Sequence, residues 1–217
     1  RKLMGKLDAQ DDAVLAKSVK TIVDQVDAMK RLVNEFRDYA RLPSADLKPV
    51  QLNVLIADLM VLYANEPADQ IHRATVVTEL DPTCPPILGD EQQLRQVIHN
   101  LLQNAQDACE SKGELAQDAR VGVRTEWNAS RNRVRLTVSD TGPGFETNIL
   151  KRAFEPYVTT KAKGTGLGLA VVKKIADEHA AKIELSNVMQ DGEIKGAQVS
   201  LSFAQETTKG KLNPPAY

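Results

Sequence analysis

The sequence predicts an α+β protein in which a long helix precedes a region of mixed helices and strands. The helix is indicated over residues 13–41, where apolar residues recur at alternating steps of four and three. Strand-like alternation follows over residues 120–127 and 133–139, with a polar hairpin loop between them. A chain of 217 residues is long enough for one or two domains with a substantial core.

The apolar positions of helix 13–41 form a narrow stripe. The stripe consists of Leu15, Val19, Ile22, Val26, Met29, Val33, Phe36 and Ala40. A surface helix of a single domain usually has a broader and less regular stripe. The pattern therefore favours a homodimer through helix 13–41 over a lone surface helix. Residues 1–7 are also predicted to be helical, with a bend at residues 8–12 that would give an antiparallel hairpin.

The remaining elements alternate between helix and strand. Two prolines end the first helix and predict a linker over residues 43–50. Asp90 is a candidate N-cap, because an aspartate before a helical pattern can accept free backbone N–H groups. We expect the polar residues 205–217 to be disordered. The other predicted elements are a helix over 53–65, a strand over 75–80, a helix from Gly89 to Ser111, the strands 120–127 and 133–139, a helix from Gly166 to Ala180, and a hairpin of residues 182–187 and 197–203.

Composition and charge exclude several classes of protein. The net charge of −1 provides no basic field for nucleic acid. Cys84 and Cys109 form neither a CxxC pair nor a His/Cys cluster, which predicts reduced thiols and a cytoplasmic location. No apolar run is long enough to span a bilayer, so we expect no membrane contact by this chain. Because the chain does not begin with Met, it is expected to be a fragment. The sequence leaves open whether the parent protein is anchored in the inner membrane.

Two asparagines one helical turn apart are candidate ligands of a metal ion. Asn100 and Asn104 are spaced i, i+4 on the predicted helix, so both side chains leave the same face. Leu101 and Leu102, which lie between them, are expected to face the core. Neutral amide oxygens suit Mg²⁺, a hard cation that takes oxygen ligands while it bridges to phosphates. Taken alone, the pair is better explained as two exposed asparagines, and only the downstream segments favour a metal site.

An aspartate at the end of a strand precedes a glycine-rich turn. Asp140 is followed by Gly142 and Gly144, which permit unusual backbone angles and close approach of a ligand. A buried carboxylate accepts hydrogen bonds and can therefore recognise an exocyclic amine. In isolation the segment is equally compatible with an ordinary turn.

A second glycine-rich segment leads directly into a helix. Backbone amides of the loop Gly164–Gly168, at the helix N-terminus, can bind an anion such as phosphate. A dinucleotide fingerprint is excluded because Leu169 stands where the third glycine would be. A Walker A loop is excluded because no Gly-Lys-Ser/Thr sequence is present.

Taken in order, these segments resemble the N, G1, F and G2 boxes of the ATP-binding domain of sensor histidine kinases. The four blocks are His99–Ala105, Asp140–Gly144, Phe154–Tyr157 and Gly164–Leu169. This domain belongs to the wider family that includes DNA gyrase, the Hsp90 chaperones and MutL. The resemblance implies a catalytic domain over residues 51–204 with the Bergerat-type fold, a two-layer α/β sandwich with a mixed, mainly antiparallel sheet.

The resemblance also implies that the chain binds ATP and Mg²⁺. Asn104 is then the magnesium ligand, Asn100 helps to bind the metal or the phosphates, and Asp140 recognises the adenine N6 amine. Lys161 is expected to pair with the phosphates and, with the two asparagines, to supply the catalytic groups. The other nucleotide-binding residues that the resemblance implies are Gly142, Gly144, Tyr157, Thr159, Thr160, Gly164, Thr165, Gly166, Leu167, Gly168, Leu169 and Ser200.

The function that the resemblance implies is that of the catalytic core of a two-component sensor histidine kinase. Residues 1–42 would form part of the dimerisation and histidine-phosphotransfer hairpin, and the phosphoryl group would pass on to an aspartate of a response regulator receiver domain. No phosphoacceptor motif surrounds His72, His99 or His179, so the acceptor is expected upstream of Arg1 and the fragment is not expected to autophosphorylate.

The segments 154–161 and 34–43 resemble the nitrogen-regulation group of sensor kinases, the NtrB/NtrY type.

Three other functions compete with this prediction. An anti-sigma-factor serine kinase shares the nucleotide fold but usually lacks a preceding hairpin such as helix 13–41. A gyrase-type or MutL-type ATPase uses a carboxylate at the position of Asn100 to activate water. A degenerate kinase could serve as a dimeric scaffold or in a phosphatase-dominant role. The combination of Asn104, Asp140 and the glycine loop argues against loss of ATP binding, but it does not exclude a dominant phosphatase activity.

Overall fold

The computed structural model of the chain describes residues 9–40, 42–64, 74–111, 119–161 and 164–206. Helix α1 (Ala9–Ala40) comes first and is followed by β1 (Lys48–Val50), α2 (Leu52–Ala64), β2 (Thr75–Leu80), β3 (Ile87–Gly89), α3 (Glu91–Glu110), β4 (Arg120–Asn128), β5 (Arg133–Asp140), α4 (Thr147–Leu150), α5 (Gly168–Glu178), β6 (Lys182–Gln190) and β7 (Glu193–Ala204). The helix predicted over residues 1–7 lies outside the described residues, as does residue 8. The predicted bend is wrong for residues 9–12, because these residues form the first turn of α1.

Five strands form a mixed sheet in the order β2-β4-β5-β7-β6. Strands β2 and β4 run parallel, and the other neighbouring pairs are antiparallel. Alternate residues of β5, namely Val134, Leu136 and Val138, are buried on one face, where helices α2, α3 and α5 cover the sheet. The predicted two-layer α/β sandwich with a mixed, mainly antiparallel sheet is therefore confirmed.

Helix α3 lies at the centre of the helical layer and contacts α2, α5 and β5. Its buried residues recur at helical spacing and include Leu94, Val97, Ile98 and Leu101. Asp90 is its N-cap, as predicted, and accepts hydrogen bonds from Gln92 N at 3.0 Å and Gln93 N at 3.1 Å. The cap satisfies two backbone N–H groups that have no partner within the helix, and so it stabilises the start of α3.

The Asp90 carboxylate has a pKa below its usual value. Burial raises this pKa, but hydrogen bonds from the backbone N–H groups of Gln93, Asp46 and Gln92 outweigh that effect. The Asp90 N–H in turn donates to His179 Nε2 at 2.9 Å, and His179 Nδ1 lies 2.8 Å from Ile175 O. His179 is thus a buried structural residue that joins α5 to the start of α3.

A small second sheet joins the linker to the C-terminal end of the described chain. Strand β1 pairs with β3, so the last three residues of the predicted linker 43–50 are a strand. Ile87 in β3 forms a bridge with Gln205, and Glu206 N donates to Pro86 O at 3.1 Å. The prediction of disorder from residue 205 is therefore wrong for Gln205 and Glu206, because backbone hydrogen bonds hold both. Residues 207–217 lie outside the described residues.

Helix α1 leaves most of its apolar stripe exposed to solvent. Ile22 and Met29 are 62% and 66% exposed, and Val33 is 60% exposed. At the C-terminal end of α1, Lys174 Nζ of α5 donates to Tyr39 O at 3.0 Å and lies 5.5 Å from the centre of the Tyr39 ring. Among the described residues, no helix is both long and apolar enough to cross a membrane.

Candidate functional site

A cleft of about 1090 Å³ opens between α3, the end of β5 and the segment that leads from β5 to α5. Twelve of the predicted site residues line it, and they come from segments far apart in the sequence. These residues are Asn100, Asn104, Asp140, Gly144, Thr159, Thr160, Lys161, Gly164, Thr165, Gly166, Gly168 and Leu169. Apolar side chains of Val138, Ile149, Ala153, Val158 and Val199 complete the walls.

The wall formed by α3 presents the two asparagines to the cleft. Asn100 and Asn104 both line it, and Leu101 and Leu102 between them are buried, as predicted from the helical spacing, although Leu101 also borders the cleft. Asn104 faces the start of α5: a Cβ atom added to Gly168 would lie 3.4 Å from Asn104 Nδ2. The cleft thus brings the asparagine face and the glycine loop within contact distance.

Asp140 is the last residue of β5, and its side chain is held by two backbone donors. Its Oδ1 accepts from Gly142 N at 2.8 Å and from Ala197 N at 3.2 Å. Strand β7 can approach this closely because residue 196 is glycine: a Cβ atom there would lie 1.8 Å from Asp140 O. The carboxylate is therefore fixed in orientation before any ligand arrives.

The glycine turn after Asp140 packs closely on α3. A Cβ atom on Gly142 would lie 2.8 Å from the Cβ of Ala108, so no larger residue fits there. Next to this contact, Thr141 Oγ1 accepts from Arg120 N at 3.0 Å, and it lies 3.8 Å from the buried Cys109 Sγ. Two residues later, Gly144 has a φ of +77°, a backbone angle that favours glycine.

The segment between the glycine regions folds back on itself. Tyr157 N donates to Gly166 O at 3.0 Å, and the two residues have φ angles of 66° and 71°. A Cβ atom on Gly166 would lie 2.6 Å from the backbone of Tyr157, which explains the requirement for glycine. The Tyr157 side chain is 59% exposed and does not line the cleft. The structure therefore does not place this side chain among the ligand contacts predicted for it.

Lys161 extends from this segment to the asparagine face. Its Nζ donates to Asn104 Oδ1 at 3.2 Å and to Asp107 Oδ2 at 2.8 Å. These two oxygens already bind one cationic group, so their chemistry fits a hard cation such as Mg²⁺. Among the described residues, no cluster of three or more His, Cys, Asp or Glu side chains could hold a metal ion.

The glycine loop ends where α5 begins. Leu167 N donates to Thr165 Oγ1 at 3.3 Å, and α5 starts at Gly168 without a side-chain cap. The first N–H groups of a helix lack partners within the helix, and together with the helix dipole they favour an anion. Because Gly164, Gly166 and Gly168 line the cleft, this helix end gives one wall of the cleft the chemistry to bind an anion.

Three other predicted residues do not line the cleft. Leu167 is fully buried and anchors the loop from the core side, and Gly142 is covered by Ala108. The prediction that Ser200 approaches adenine is corrected, because side chains alternate along β7 and it is Val199 that lines the cleft. Ser200 instead pairs with Thr137 on the opposite face of the sheet.

Asp107 and His99 are among the polar residues of α3 at the site that were not predicted. Asp107, three residues after Asn104, shares its helix face, and this spacing could have identified it. His99 precedes Asn100, lines the cleft and lies with its Nδ1 2.7 Å from the Tyr63 hydroxyl. Its contact with Tyr63 depends on the packing of α2 against α3, which no local sequence signal indicates. His72 lies outside the described residues.

Residues 89–207 match the family of histidine kinase-, DNA gyrase B- and HSP90-like ATPases. The chain belongs to this family. It is 30% identical over 214 residues to the nitrogen regulation protein NtrY of Azorhizobium caulinodans, covering 97% of this chain and 26% of that protein. It is 32% identical over 173 residues to the sensory histidine kinase/phosphatase NtrB of Rhodobacter capsulatus, covering 76% of this chain and 47% of that protein. The chain thus spans less than half the length of these relatives.

Solved structures of this ATPase family have the same fold. Full-length ShkA in complex with AMPPNP matches with a TM-score of 0.68 and 26% identity, covering 94% of this chain and 41% of that one. The nucleotide-free catalytic domain of the histidine kinase ThkA matches with a TM-score of 0.61 and 28% identity, covering 74% of this chain and 96% of that one. The predicted resemblance to histidine kinases, nearest to the NtrB/NtrY type, is confirmed.

Proposed function

We propose that this chain is the catalytic part of a sensor histidine kinase, which binds Mg-ATP and transfers its γ-phosphoryl group to a histidine. The observation that supports this most directly is the cleft, in which a fixed carboxylate and an anion-binding helix end line the same cavity. The similar proteins NtrY and NtrB are named for nitrogen regulation and for histidine kinase/phosphatase activity. The ShkA structure contains AMPPNP, an ATP analogue.

The base of the nucleotide is assigned to the Asp140 end of the cleft. A carboxylate only accepts hydrogen bonds, so it selects an exocyclic amine such as adenine N6 and disfavours a carbonyl at that position. The donors Gly142 N and Ala197 N hold the carboxylate in one orientation, which lowers the entropy lost when the base binds. Val138, Ala153 and Val199 supply apolar surface for the ring.

The phosphates are assigned to the opposite end, where the glycine loop, α5 and α3 meet. Backbone amides of Gly164–Gly168 would bind phosphate oxygens, and Lys161 would add a positive charge. Asn104, with Asn100 beside it, would hold Mg²⁺, which neutralises charge on the phosphates when it is bound. Phosphoryl transfer needs positioning and charge stabilisation more than covalent participation by the protein, and this wall supplies both.

The acceptor is proposed to be a histidine of the longer protein, whose imidazole acts as the nucleophile, rather than water. Asn100 favours this choice because an amide, unlike a carboxylate, is not a general base that could activate water. His179 is buried and hydrogen-bonded through both ring nitrogens, which makes it unsuitable as an acceptor. We further propose that the phosphoryl group then passes to an aspartate of a response regulator receiver domain.

Calorimetric titration with ATP and Mg²⁺ tests the nucleotide site. We expect the wild type to bind ATP and Asp140→Asn to bind it at least about tenfold more weakly, because the amide offers a donor where adenine also donates. Asp191→Asn is the matched control, since Asp191 lies in the exposed β6–β7 turn. Failure of the wild type to bind would contradict the proposal and favour a degenerate scaffold. Radiolabel on this chain after incubation with Mg-ATP alone would contradict an external acceptor.

A further inference from the structure

Lys161 and Asp107 form an ion pair inside the candidate phosphate end of the cleft. The Lys161 Nζ lies 2.8 Å from Asp107 Oδ2 and 3.2 Å from Asn104 Oδ1. The other carboxylate oxygen, Asp107 Oδ1, accepts from Gln103 Nε2 at 2.7 Å. The Lys161 and Asp107 side chains are 35% and 34% exposed, so solvent only partly screens the pair. Asp107 is thus oriented by two partners and faces the place assigned to phosphate.

The negative charge of Asp107 weakens the binding of a polyphosphate ligand at this position. If Lys161 leaves Asp107 to pair with the phosphates, Asp107 becomes an uncompensated negative charge close to more negative charge. A divalent cation removes this conflict, because oxygens of Asn104 and Asp107 can bind it in place of the ammonium group. Lys161 is then released to the phosphates while Asp107 keeps a positive partner.

We propose that Asp107 is the residue that makes nucleotide binding at this site depend on a divalent cation. In the nucleotide-free chain Lys161 occupies the cation position at Asn104 and Asp107. A divalent cation would replace the Lys161 ammonium group at this position. Only the metal-loaded nucleotide then gives Asp107 a positive partner and Lys161 a negative one. The inference rests on the proposed nucleotide site. It adds that this site binds the metal complex of the nucleotide more tightly than the free nucleotide.

Calorimetry with ADP, in excess Mg²⁺ and in EDTA, tests this selectivity. Asp107→Asn keeps the shape of the side chain and an acceptor for Gln103 but removes the charge. We expect the ratio of the Kd in EDTA to the Kd in Mg²⁺ to fall about tenfold, mainly because free ADP binds more tightly. Asp177→Asn is the control, since it removes a comparable lysine pair on the exposed side of α5, and its ratio should equal that of the wild type. An unchanged ratio in Asp107→Asn overturns the proposal.

A second measurement needs no nucleotide and remains informative if Asp107→Asn folds poorly. Mn²⁺ is added to isotopically labelled wild type and to Lys161→Gln, and the paramagnetic broadening of the Asn104 and Asp107 amide signals is followed. If the ammonium group competes for the cation position, Lys161→Gln should reach half-broadening at a several-fold lower Mn²⁺ concentration. If both proteins reach half-broadening at the same Mn²⁺ concentration, the proposal that lysine and metal compete for one position is overturned. If the wild type fails to bind ADP in Mg²⁺, the proposed function is wrong, and the Mn²⁺ titration still decides whether lysine and metal exchange.

Discussion

The side-chain amide of Asn187 forms two hydrogen bonds with the backbone of Phe145. Asn187 Oδ1 accepts from Phe145 N, and Asn187 Nδ2 donates to Phe145 O, both at 2.8 Å. Phe145 follows the Asp140 turn and has no strand partner of its own, so Asn187 takes the place of a neighbouring strand. The pair attaches this side of the cleft to β6, at the edge of the sheet.

Asn187→Leu should therefore weaken both stability and nucleotide binding. The variant keeps the volume of the side chain but leaves the N–H and C=O of Phe145 unpaired in a half-buried position, a loss of about 1–3 kcal/mol. We expect a lower melting temperature and, in calorimetry, weaker binding of ADP. Ser186→Ala, at the exposed neighbouring position on β6, is the control: it removes one exposed hydrogen bond from Gln198 Nε2 and should change both quantities far less. Wild-type ADP affinity in Asn187→Leu would show that ADP binding does not require the hydrogen bonds between Asn187 and Phe145.

The absence of a side chain at residue 196 predicts a sharp effect of adding one methyl group. Gly196→Ala places Cβ against Asp140 O, so β7 and the end of β5 must separate. Such overpacking typically costs about 1–3 kcal/mol, and here it also displaces the Ala197 N–H from Asp140.

We expect Gly196→Ala to lose measurable ADP binding while the far-ultraviolet circular dichroism is retained. Gly192→Asn provides the comparison, because a Cβ at residue 192 meets no atom within 4 Å and asparagine tolerates the φ of +81° found there. Binding of ADP by Gly196→Ala with wild-type affinity would show that β7 moves without disturbing the carboxylate.

Loss of the Asp90 cap should destabilise the domain in a pH-dependent way. Asp90→Ala removes the acceptor for Gln92 N and Gln93 N, at a cost of about 1–2 kcal/mol. The pKa of Asp90 is lower in the folded state than its unfolded value of about 3.9. The Asp90 charge therefore contributes fully to the free energy of unfolding above the unfolded-state pKa, and this contribution is lost as the pH falls through the folded-state pKa.

Urea unfolding at several pH values measures this difference. The wild type and Asp90→Ala should differ by a constant free energy between about pH 5 and 8, and by less below about pH 4. Asp90→Ser, which retains an oxygen acceptor, should recover part of the loss. A difference that stays constant into strongly acidic solution would mean that the Asp90 charge contributes nothing.

The exposed stripe of α1 predicts self-association. Burial of Ile22, Met29 and Val33 against a second copy would remove large apolar side chains from water. We expect sedimentation equilibrium to give the mass of a dimer at high protein concentration and Ile22→Glu to shift the equilibrium to monomer. Lys20→Glu changes a neighbouring exposed position outside the stripe and should leave the dimer intact. A monomeric wild type would show that α1 needs the rest of a longer hairpin.

Local sequence signals were sufficient for much of the fold and for most of the cleft. The heptads of α1, the cap at Asp90 and the spacing of Asn100 and Asn104 are properties of single helices, so their consequences follow from the helical repeat. The short strands β1 and β3 were missed because three residues acquire strand geometry only from their partners. Alternation of Val199, Leu201 and Phe203 along β7 would have placed Ser200 on the opposite face.

Contacts between distant segments could not be predicted in the same way. The pair of Lys161 and Asp107 joins residues 54 positions apart, and neither residue has a local signal that identifies the other. The same holds for Asn187, whose role depends on how β6 lies beside the Asp140 turn. The proposed selection of the base and of the metal would depend on such contacts, so it is harder to predict from the sequence than the position of the cleft.

The labelling rates of the two buried thiols report how often different parts of the chain open to solvent. Cys109 is 2% exposed behind the Asp140 turn, whereas Cys84 is buried beside Thr125, and burial raises the pKa of the Cys84 thiol. Only a thiolate that solvent can reach attacks a disulfide reagent, so the rate at which each cysteine reacts depends on the opening of its own surroundings. A ligand in the cleft would slow the labelling of Cys109 more than that of Cys84. The native sequence could thus distinguish local opening of the site from global unfolding without any introduced probe.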